Sequence, residues 1–295
     1  MKMKAYAKIN IALDAIGKRE DNYHLLRMIM QTVDLYDVID IEKSNDSNIS
    51  ISCNKHYVPT DERNLAYKAA VLFRDEFNIK DGVKINIKKN IPVAAGMAGG
   101  STNAAAVLVI MNKLFNVNAS LEVLKEIGLK IGADVPYCIE GGTALCEGIG
   151  EIITPLKPFE NKILVVLKPN FGVSTKEVYT NLDINKIRKH VNIEGLIQAM
   201  ENDDLDYVSK NMKNVLENVT LKKHTILKNI KEDMRKSGAL GAMMSGSGPT
   251  VFAFFDDMLT AQRAFEFLKG KYKYSDVFTY IHFSVVWNFT FLCTP

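Results

Sequence analysis

The sequence predicts an α+β protein built in two parts, and three observations lead to this class. Strand-like and helix-like stretches are intermixed along the chain without the regular βαβ rhythm of a parallel sheet. The 295 residues are about twice the length of a typical domain, and 47% of them are hydrophobic, which is enough for a sizeable core. Pro155 and Pro158 bracket a linker, so we place an N-terminal domain at residues 1–157 and a C-terminal domain at residues 158–295.

The charge balance and the cysteines exclude several functional classes. The chain has 37 Lys and Arg against 34 Asp and Glu, and this small excess, spread along the sequence, argues against binding of nucleic acid. The four cysteines form no C-x-x-C pair, which is typical of free thiols in a reducing compartment rather than of a zinc site. Because the first residues lack the apolar core of a signal peptide, we expect a cytoplasmic protein.

Hydrophobic periodicity defines the elements of the N-terminal part. Alternation of apolar and polar residues predicts strands at residues 4–15 and 83–88, with the apolar residues of the first strand on one face. Helical spacing predicts helices at residues 65–77 and 102–115, and a third that begins after the N-cap residue Ser120.

The C-terminal part begins with a continuous apolar run at residues 162–168, which predicts a buried strand. Ser174 and Glu177 have the spacing of a capping box, so a helix is expected to start there. Five apolar residues at alternating spacings of three and four predict one core-facing helix over residues 205–219. Further elements are expected as follows: a helix at 221–237, a strand at 250–255, a helix at 260–269 and a strand at 277–283.

The last stretch of the chain is unusual, because residues 277–295 contain no Asp, Glu, Lys or Arg. It is too polar and slightly too short for a membrane span, so no contact with a membrane is expected. Beyond the strand that ends near residue 283, the tail of residues 284–295 has no physical explanation in the sequence.

The strongest local signal is a glycine-rich loop at residues 91–103 that leads directly into an Ala-rich helix. It contains three glycines followed by two hydroxyl residues: Gly96, Gly99, Gly100, Ser101 and Thr102. We expect the glycines to adopt positive φ and let the backbone approach a ligand, while the helix start supplies an anion site that phosphate usually occupies. No Lys follows the glycines and none of them has G-x-G spacing, so this is neither a Walker A loop nor a dinucleotide fingerprint. A turn that only caps the helix remains the alternative.

Three further features carry little information one at a time. Asp134 is expected where a helix ends, with Pro136 holding Val135 extended, and by itself is more typical of a turn than of catalysis. The small-residue loop at 241–250 is as often a tight turn as a ligand loop. Lys8 lies on the polar face of the first strand, where an isolated lysine is normally solvated.

Together, in this order and spacing, these segments resemble the GHMP kinases, the family of galactokinase, homoserine kinase, mevalonate kinase and phosphomevalonate kinase. The family's phosphate loop is similar to residues 92–102, with Met97 where Leu is usual, and its C-terminal glycine motif is similar to residues 245–250. Three narrower patterns resemble a branch with a cytidyl-linked substrate: residues 7–10 (Ala-Lys-Ile-Asn), 21–24 (Asp-Asn-Tyr-His) and 132–136 (Gly-Ala-Asp-Val-Pro). Asn22 departs from the Gly that the family commonly has before Tyr-His.

The resemblance implies a two-domain GHMP kinase fold with a ferredoxin-like C-terminal domain, and a cleft between the domains for ATP and substrate. It implies ATP as co-substrate, Mg²⁺ between the β and γ phosphate oxygens, and transfer to the 2-hydroxyl of a small diphosphocytidyl-linked polyol of the non-mevalonate isoprenoid pathway. The helix at 102–115 has no acidic residue, so the metal ligands are unassigned, and the choice between monomer and homodimer is open. A homoserine-type or mevalonate-type kinase and a catalytically inactive GHMP-like binding protein are the alternatives.

The resemblance also implies roles for individual residues. Asp134 would accept the proton of the substrate hydroxyl, and Lys8 would hold Asp134 ionised and offset charge on the transferring phosphoryl group. Cytosine would lie between Tyr23 and Tyr179, with His24 at the ring edge. The ATP-binding residues would be Pro92, Val93, Ala94, Ala95, Gly96, Met97, Ala98, Gly99, Gly100, Ser101 and Thr102. The substrate-binding residues would be Asn10, Tyr23, His24, Thr175 and Tyr179, and the third motif would contribute Ser245, Gly246, Ser247 and Gly248.

Overall fold

The computed structural model describes residues 1–21, 23–282 and 291–292. Asn22, Phe283 and most of the tail that the sequence left without explanation lie outside these ranges. The strands are β1 (Lys2–Lys18), β2 (His24–Ser44), β3 (Ile49–Cys53), β4 (Gly82–Lys88), β5 (Thr143–Gly148), β6 (Ile152–Pro155), β7 (Lys162–Lys168), β8 (Lys213–Asn214), β9 (Gly241–Met244), β10 (Val251–Phe255), β11 (Asp276–His282) and β12 (Phe291–Leu292).

Helices alternate with these strands along the chain. They are α1 (Leu65–Glu76), α2 (Gly99–Leu114), α3 (Leu121–Ile131), α4 (Val135–Glu140), α5 (Thr175–Thr180), α6 (Ile193–Glu201), α7 (Leu205–Asn211), α8 (Glu217–Lys223), α9 (Ile226–Lys236) and α10 (Met258–Lys271). No helix within the described ranges is both long and apolar enough to cross a membrane.

The N-terminal sheet is built on the long antiparallel pair of β1 and β2, in the order β12-β1-β2-β4-β3, with β5 also bonded to β2. The pairing of β1 with β2 shifts register between Tyr6 and Ala7 and again between Asn10 and Ala12. Such bulges exchange the two faces of a strand. The expected single apolar face of β1 is therefore wrong, because Ala5 and Leu13 pack into one hydrophobic core and the intervening Ile9 packs into the other.

Helix α2 is the centre of the N-terminal part. Residues 102–111 are all buried, against α1, α4 and the β1–β2 pair, which is the pattern of a helix enclosed on every side. Its first turn, Gly99 to Ser101, lies at the edge of this core and faces a cleft. The fold thus holds the N-terminus of α2 rigidly while leaving it open to a ligand.

The C-terminal sheet has the order β11-β7-β10-β9, and all of its neighbours are antiparallel. Read across the sheet, the strands have the chain order 4-1-3-2, with α5 to α9 between β7 and β9 and with α10 between β10 and β11. This is the βαββαβ arrangement of a ferredoxin-like domain. The predicted α+β class with a ferredoxin-like C-terminal domain is confirmed.

The helix expected over residues 205–219 is wrong. The chain leaves the helical conformation at Met212 (φ −50°, ψ 135°) and forms β8, which pairs in parallel with β1. The Asn214 side chain then donates to the carbonyl oxygens of Met244 and Gly246, at 2.8 and 2.7 Å. These tertiary contacts override the helical spacing of the apolar residues, and α9 likewise begins at Ile226 rather than at residue 221.

Candidate active site

A cleft of about 1170 Å³ opens between the loop that precedes α2, the β1–β2 pair, the start of α4, helix α5 and the loop after β9. All but four of the predicted site residues line it. The four that lie behind its wall are Met97, Thr102, Ser245 and Gly248. Met97 is buried in the core, while the hydroxyls of Thr102 and Ser245 donate to the carbonyl oxygens of Tyr6 and Gly96, at 2.8 and 2.9 Å. The binding roles predicted for these four residues stay predictions.

Lys8 and Asp134 meet at the floor of the cleft. Lys8 Nζ lies 3.8 Å from Asp134 Oδ2 and donates to Asn10 Oδ1 at 2.8 Å. Lys8 is only 5% exposed, so the interpretation of Lys8 as an ordinary solvated lysine is wrong. Because one bulge precedes Lys8 and another follows Asn10, this part of β1 is turned inward, and an ammonium group faces a carboxylate in a partly dehydrated site.

Asp134 lies between two helices, three residues after the end of α3 at Ile131 and directly before α4. It is the N-cap residue of α4, and Pro136 lies in the first turn, so the expected extended conformation of Val135 is wrong. Proline is well tolerated there because the first N–H groups of a helix have no partner within it. About a third of the Asp134 side chain (36%) is exposed, which leaves the carboxylate accessible to a ligand in the cleft.

Asn10 lies on β1 close to Lys8, and its role in binding the substrate stays a prediction. Its carbonyl oxygen accepts from Lys8, and its amide nitrogen lies 3.6 Å from the sulfur of Met28. The side chain lines the cleft but is fully buried. Its clearest effect is to fix the Lys8 ammonium beside Asp134.

The glycine-rich loop has the shape of an anion cradle, but its glycines serve different purposes. Gly96 has a φ of +73°, as expected, whereas Gly99 and Gly100 form the first turn of α2, which begins three residues earlier than predicted. The positive φ expected for those two glycines is therefore wrong, and Ala94 and Ala98 adopt positive φ instead (51° and 57°). A Cβ at Gly99 would lie 2.8 Å from Lys89 Nζ, so even the side chain of alanine would displace the end of the Lys89 side chain.

The two glycine loops are packed directly against each other. A Cβ at Gly96 would lie 2.2 Å from the backbone oxygen of Ser245, and a Cβ at Gly246 would lie 2.9 Å from the oxygen of Gly96. Only glycine permits this approach on both sides. The Asn214 side chain fixes the second loop by donating a hydrogen bond to the Gly246 carbonyl oxygen. Because the two loops are in contact, the C-terminal motif also constrains the loop before α2.

The opposite end of the cleft is lined by aromatic rings. The rings of His24 and Tyr179 are 5.4 Å apart with an interplanar angle of 37°, and Tyr23 is 60% exposed on the same wall. The described neighbour of Tyr179 is therefore His24, and the stacking of a base between Tyr23 and Tyr179 stays a prediction. Thr175 Oγ1 lies 2.9 Å from Ser247 Oγ and joins α5 to the C-terminal glycine loop.

The surroundings shift the pKa values of two of these rings, His24 and Tyr179. Burial and the nearby Lys18 lower the pKa of His24, against a weaker effect of a hydrogen bond with the Leu182 backbone. His24 is then neutral at pH 7, with one ring nitrogen to donate and one to accept. Burial and the negative charge of Asp134 raise the pKa of the Tyr179 phenol, which stays protonated.

Sequence reasoning missed two groups next to the loop. Lys89 and Asp37 form a buried ion pair beneath it, although Lys89 follows the alternating β4 and reads as a solvent-facing residue. Asn103 is buried at the cleft wall, and its Oδ1 accepts no hydrogen bond from any residue that the structure describes. Nothing in the residue spacing marks either of them.

Comparison with known proteins identifies the class. Residues 64–142 match the protein family described as the GHMP kinases N terminal domain. Residues 196–273 match the family described as GHMP kinases C terminal. The chain therefore belongs to the GHMP kinases, which confirms the family resemblance and implies ATP as co-substrate. The domain boundary predicted between residues 157 and 158 falls between the two matched ranges and stays a prediction.

Individual relatives are more specific. The chain is 99% identical over 278 residues to a 4-diphosphocytidyl-2-C-methyl-D-erythritol kinase of Clostridium perfringens (strain 13 / Type A), covering 94% of this chain and 96% of that protein. It is 66% identical over 278 residues to the kinase of the same name from Clostridium beijerinckii, covering 94% and 98%. A crystal structure of 4-(cytidine 5'-diphospho)-2C-methyl-D-erythritol kinase superposes with a TM-score of 0.80 at 29% identity, covering 95% of this chain and 98% of that one.

Proposed function

We propose that this kinase transfers the γ-phosphoryl group of ATP to the 2-hydroxyl of 4-diphosphocytidyl-2-C-methyl-D-erythritol, a step of the non-mevalonate route to isoprenoid precursors. The observation that carries the proposal is the Lys8–Asp134 pair at the floor of the cleft that the anion-binding loop also lines. The names of relatives at 99% and 66% identity favour this substrate over homoserine and mevalonate. The paired Lys8 and Asp134 disfavour an inactive binding protein.

Asp134 is proposed to accept the proton of the 2-hydroxyl as that oxygen attacks phosphorus. The distance of 3.8 Å between Lys8 Nζ and Asp134 Oδ2 is too long for a strong hydrogen bond, so the carboxylate keeps an oxygen for the substrate. Lys8 offsets the negative charge of the transition state. Phosphoryl transfer needs little more from the protein than this positioning and charge neutralisation.

The ATP phosphates are proposed to bind at the N-terminus of α2. The backbone N–H groups of Gly99, Gly100 and Ser101 belong to the first turn, whose N–H groups have no acceptor within a helix. A helix of 16 residues adds the positive end of its dipole at this point. The loop can therefore bind phosphate without a Walker lysine.

Mg²⁺ is expected with the nucleotide, and the cleft can accept it. Within the ranges that the structure describes, no three His, Cys, Asp or Glu side chains gather into a metal site. Kinases bind Mg²⁺ through substrate phosphates and only one or two protein oxygens. Asn103 Oδ1, which accepts no hydrogen bond from the described residues, is a suitable oxygen at the wall of the cleft. When bound, the ion would neutralise charge on the β and γ phosphates.

We further propose that the reaction takes place in the cytoplasm, where ATP is available. The choice between monomer and homodimer stays open.

The proposed function is tested by ADP release against a panel of acceptors: the diphosphocytidyl substrate, homoserine, mevalonate and galactose. Turnover is expected with the first compound, and kcat/KM for the other three should be lower by several orders of magnitude. Preferential turnover of homoserine or mevalonate would refute the proposed substrate. No turnover with any acceptor, in a protein that still binds ATP, would support the inactive binding protein.

The substrate pocket gives a specific prediction for Tyr23. Replacing it by Ala should raise the KM for the cytidyl substrate by roughly 5- to 150-fold, since stacking on one aromatic ring contributes about 1–3 kcal/mol per base. The KM for ATP should stay nearly unchanged. Tyr274, which is 86% exposed and does not line the cleft, provides a matched control, and Tyr274→Ala should leave both constants unchanged. Wild-type substrate kinetics in the Tyr23→Ala enzyme would remove Tyr23 from the pocket.

A further inference from the structure

A buried ion pair lies directly beneath the phosphate loop. Lys89 follows the last residue of β4, Asp37 lies in β2, and Lys89 Nζ contacts Asp37 Oδ2 with both side chains at most 5% exposed. Burial lowers the pKa of Lys89, and the facing carboxylate opposes this effect. Because burying two charges is costly, such a pair is a weak source of stability and requires another explanation.

The pair is bonded to both ends of the loop. Asp37 Oδ1 accepts from the backbone N–H groups of Asn90 and Ile91, at 2.7 and 2.8 Å, immediately before the loop begins at Pro92. Lys89 Nζ donates to the carbonyl oxygen of Gly99 at 3.1 Å, where α2 begins. One carboxylate and one ammonium therefore join the start and the end of the loop to the central sheet.

The loop needs such support because its own backbone is strained. Ala94 and Ala98 have positive φ without being glycine, and conformations of this kind persist only when their surroundings impose them. The first turn of α2 is fixed by packing on the core and by the Lys89 contact at Gly99.

We propose that Lys89 and Asp37 are positioning residues that hold the loop of residues 92–98 in the conformation that binds the ATP phosphates. This inference rests on the proposed function, in which the loop is the ATP site. Lys89 acts on the loop through the Gly99 carbonyl, and Asp37 acts through the N–H groups of Asn90 and Ile91. Neither residue needs to exchange a proton with the substrate.

The test uses a double variant that contains no unpaired buried charge. In Asp37→Asn/Lys89→Met the asparagine oxygen can still accept from the two backbone N–H groups, and the methionine removes only the donation to Gly99. Affinity for a non-hydrolysable ATP analogue, measured by calorimetry, should fall by about 10- to 100-fold. Affinity for the cytidyl substrate should change by less than about twofold. A loss of stability alone would not separate the two ligands in this way.

A matched control exists in the C-terminal part, where Lys162 Nζ bonds Asp203 Oδ1 at 2.5 Å outside the cleft. Lys162→Met/Asp203→Asn should leave both affinities unchanged. A folded Asp37→Asn/Lys89→Met protein with wild-type affinity for the analogue overturns the proposal.

A second variant keeps the proposal testable if the double variant does not fold. Gly99→Ala places a Cβ 2.8 Å from Lys89 Nζ and so displaces the ammonium without removing a charge. It should show the same selective loss of affinity for the analogue, and unchanged affinity in this variant also overturns the proposal. Binding of the analogue does not depend on the acceptor, so a failure of the positioning role is distinguishable from a failure of the proposed substrate.

Discussion

Replacing Asp134 by Asn should lower kcat by about 10²- to 10⁴-fold, the usual loss when a general base is removed. The substitution keeps the size of the side chain and removes the charge that faces Lys8 Nζ at 3.8 Å. Affinity for ATP should change little, because the phosphates are bound by a separate loop. Rapid-quench turnover at saturating substrate, together with calorimetry of an ATP analogue, measures both quantities.

The partner residue provides the internal control for this prediction. Lys8→Ala should reduce kcat to a similar extent, and the double variant should lose less than the two single losses combined, because the two groups act as a unit. Strictly additive losses would show that Lys8 and Asp134 act independently. Near-native turnover of Asp134→Asn would show that another group accepts the proton.

Gly96→Ala is expected to have the second large effect, on both folding and ATP binding. A Cβ would lie 2.2 Å from the Ser245 carbonyl oxygen, and backbone on both sides of the contact cannot move as a side chain can. We expect a loss of about 1–3 kcal/mol in the free energy of unfolding from the forced contact. Its positive φ adds about 1–2 kcal/mol. Affinity for ATP should fall by about 10- to 100-fold because the loop is displaced.

A substitution at Gly142 distinguishes the effect of the forced contact from the effect of the positive φ. The φ of Gly142 is +70°, close to that of Gly96, but a Cβ there would meet no atom within 4 Å. Gly142→Ala should therefore show only the cost of the left-handed backbone conformation, with unchanged ATP affinity. Urea unfolding and calorimetry on both variants test the prediction. Equal effects at the two glycines would mean that the contact between the loops has no influence on the phosphate site.

The outline of the fold could be predicted from the sequence because several of its strands and helices have a clear local hydrophobic pattern or an N-cap residue. Residues 83–88 and 162–168 form β4 and β7 with nearly the predicted bounds, and Ser120 and Ser174 cap α3 and α5 as expected. By contrast, β2 was not recognised although it is the longest strand. Residues 28–33 within it are buried on both faces, so no alternation marks this part as a strand.

The candidate site was predicted by motif and could not be predicted in detail. Lys8, Asp134 and both glycine loops were selected for their joint spacing, and all of them contribute to one cleft or its wall. The inward turn of Lys8 depends on a bulge, and the contact between Gly96 and Gly246 depends on two distant loops. Neither effect is visible in a local pattern, because both arise from tertiary packing. The Lys89–Asp37 ion pair was not predicted from the sequence for the same reason.

The most direct test of the proposed reaction is the position of the new phosphate in its product. In 4-diphosphocytidyl-2-C-methyl-D-erythritol, carbon 2 carries the methyl group and no hydrogen, whereas carbon 1 carries two hydrogens and carbon 3 carries one. Proton-coupled ³¹P NMR of the product should therefore show the new monoester phosphorus without a three-bond coupling to hydrogen. A triplet would place the phosphate on carbon 1 and a doublet would place it on carbon 3, and either splitting would contradict transfer to the 2-hydroxyl.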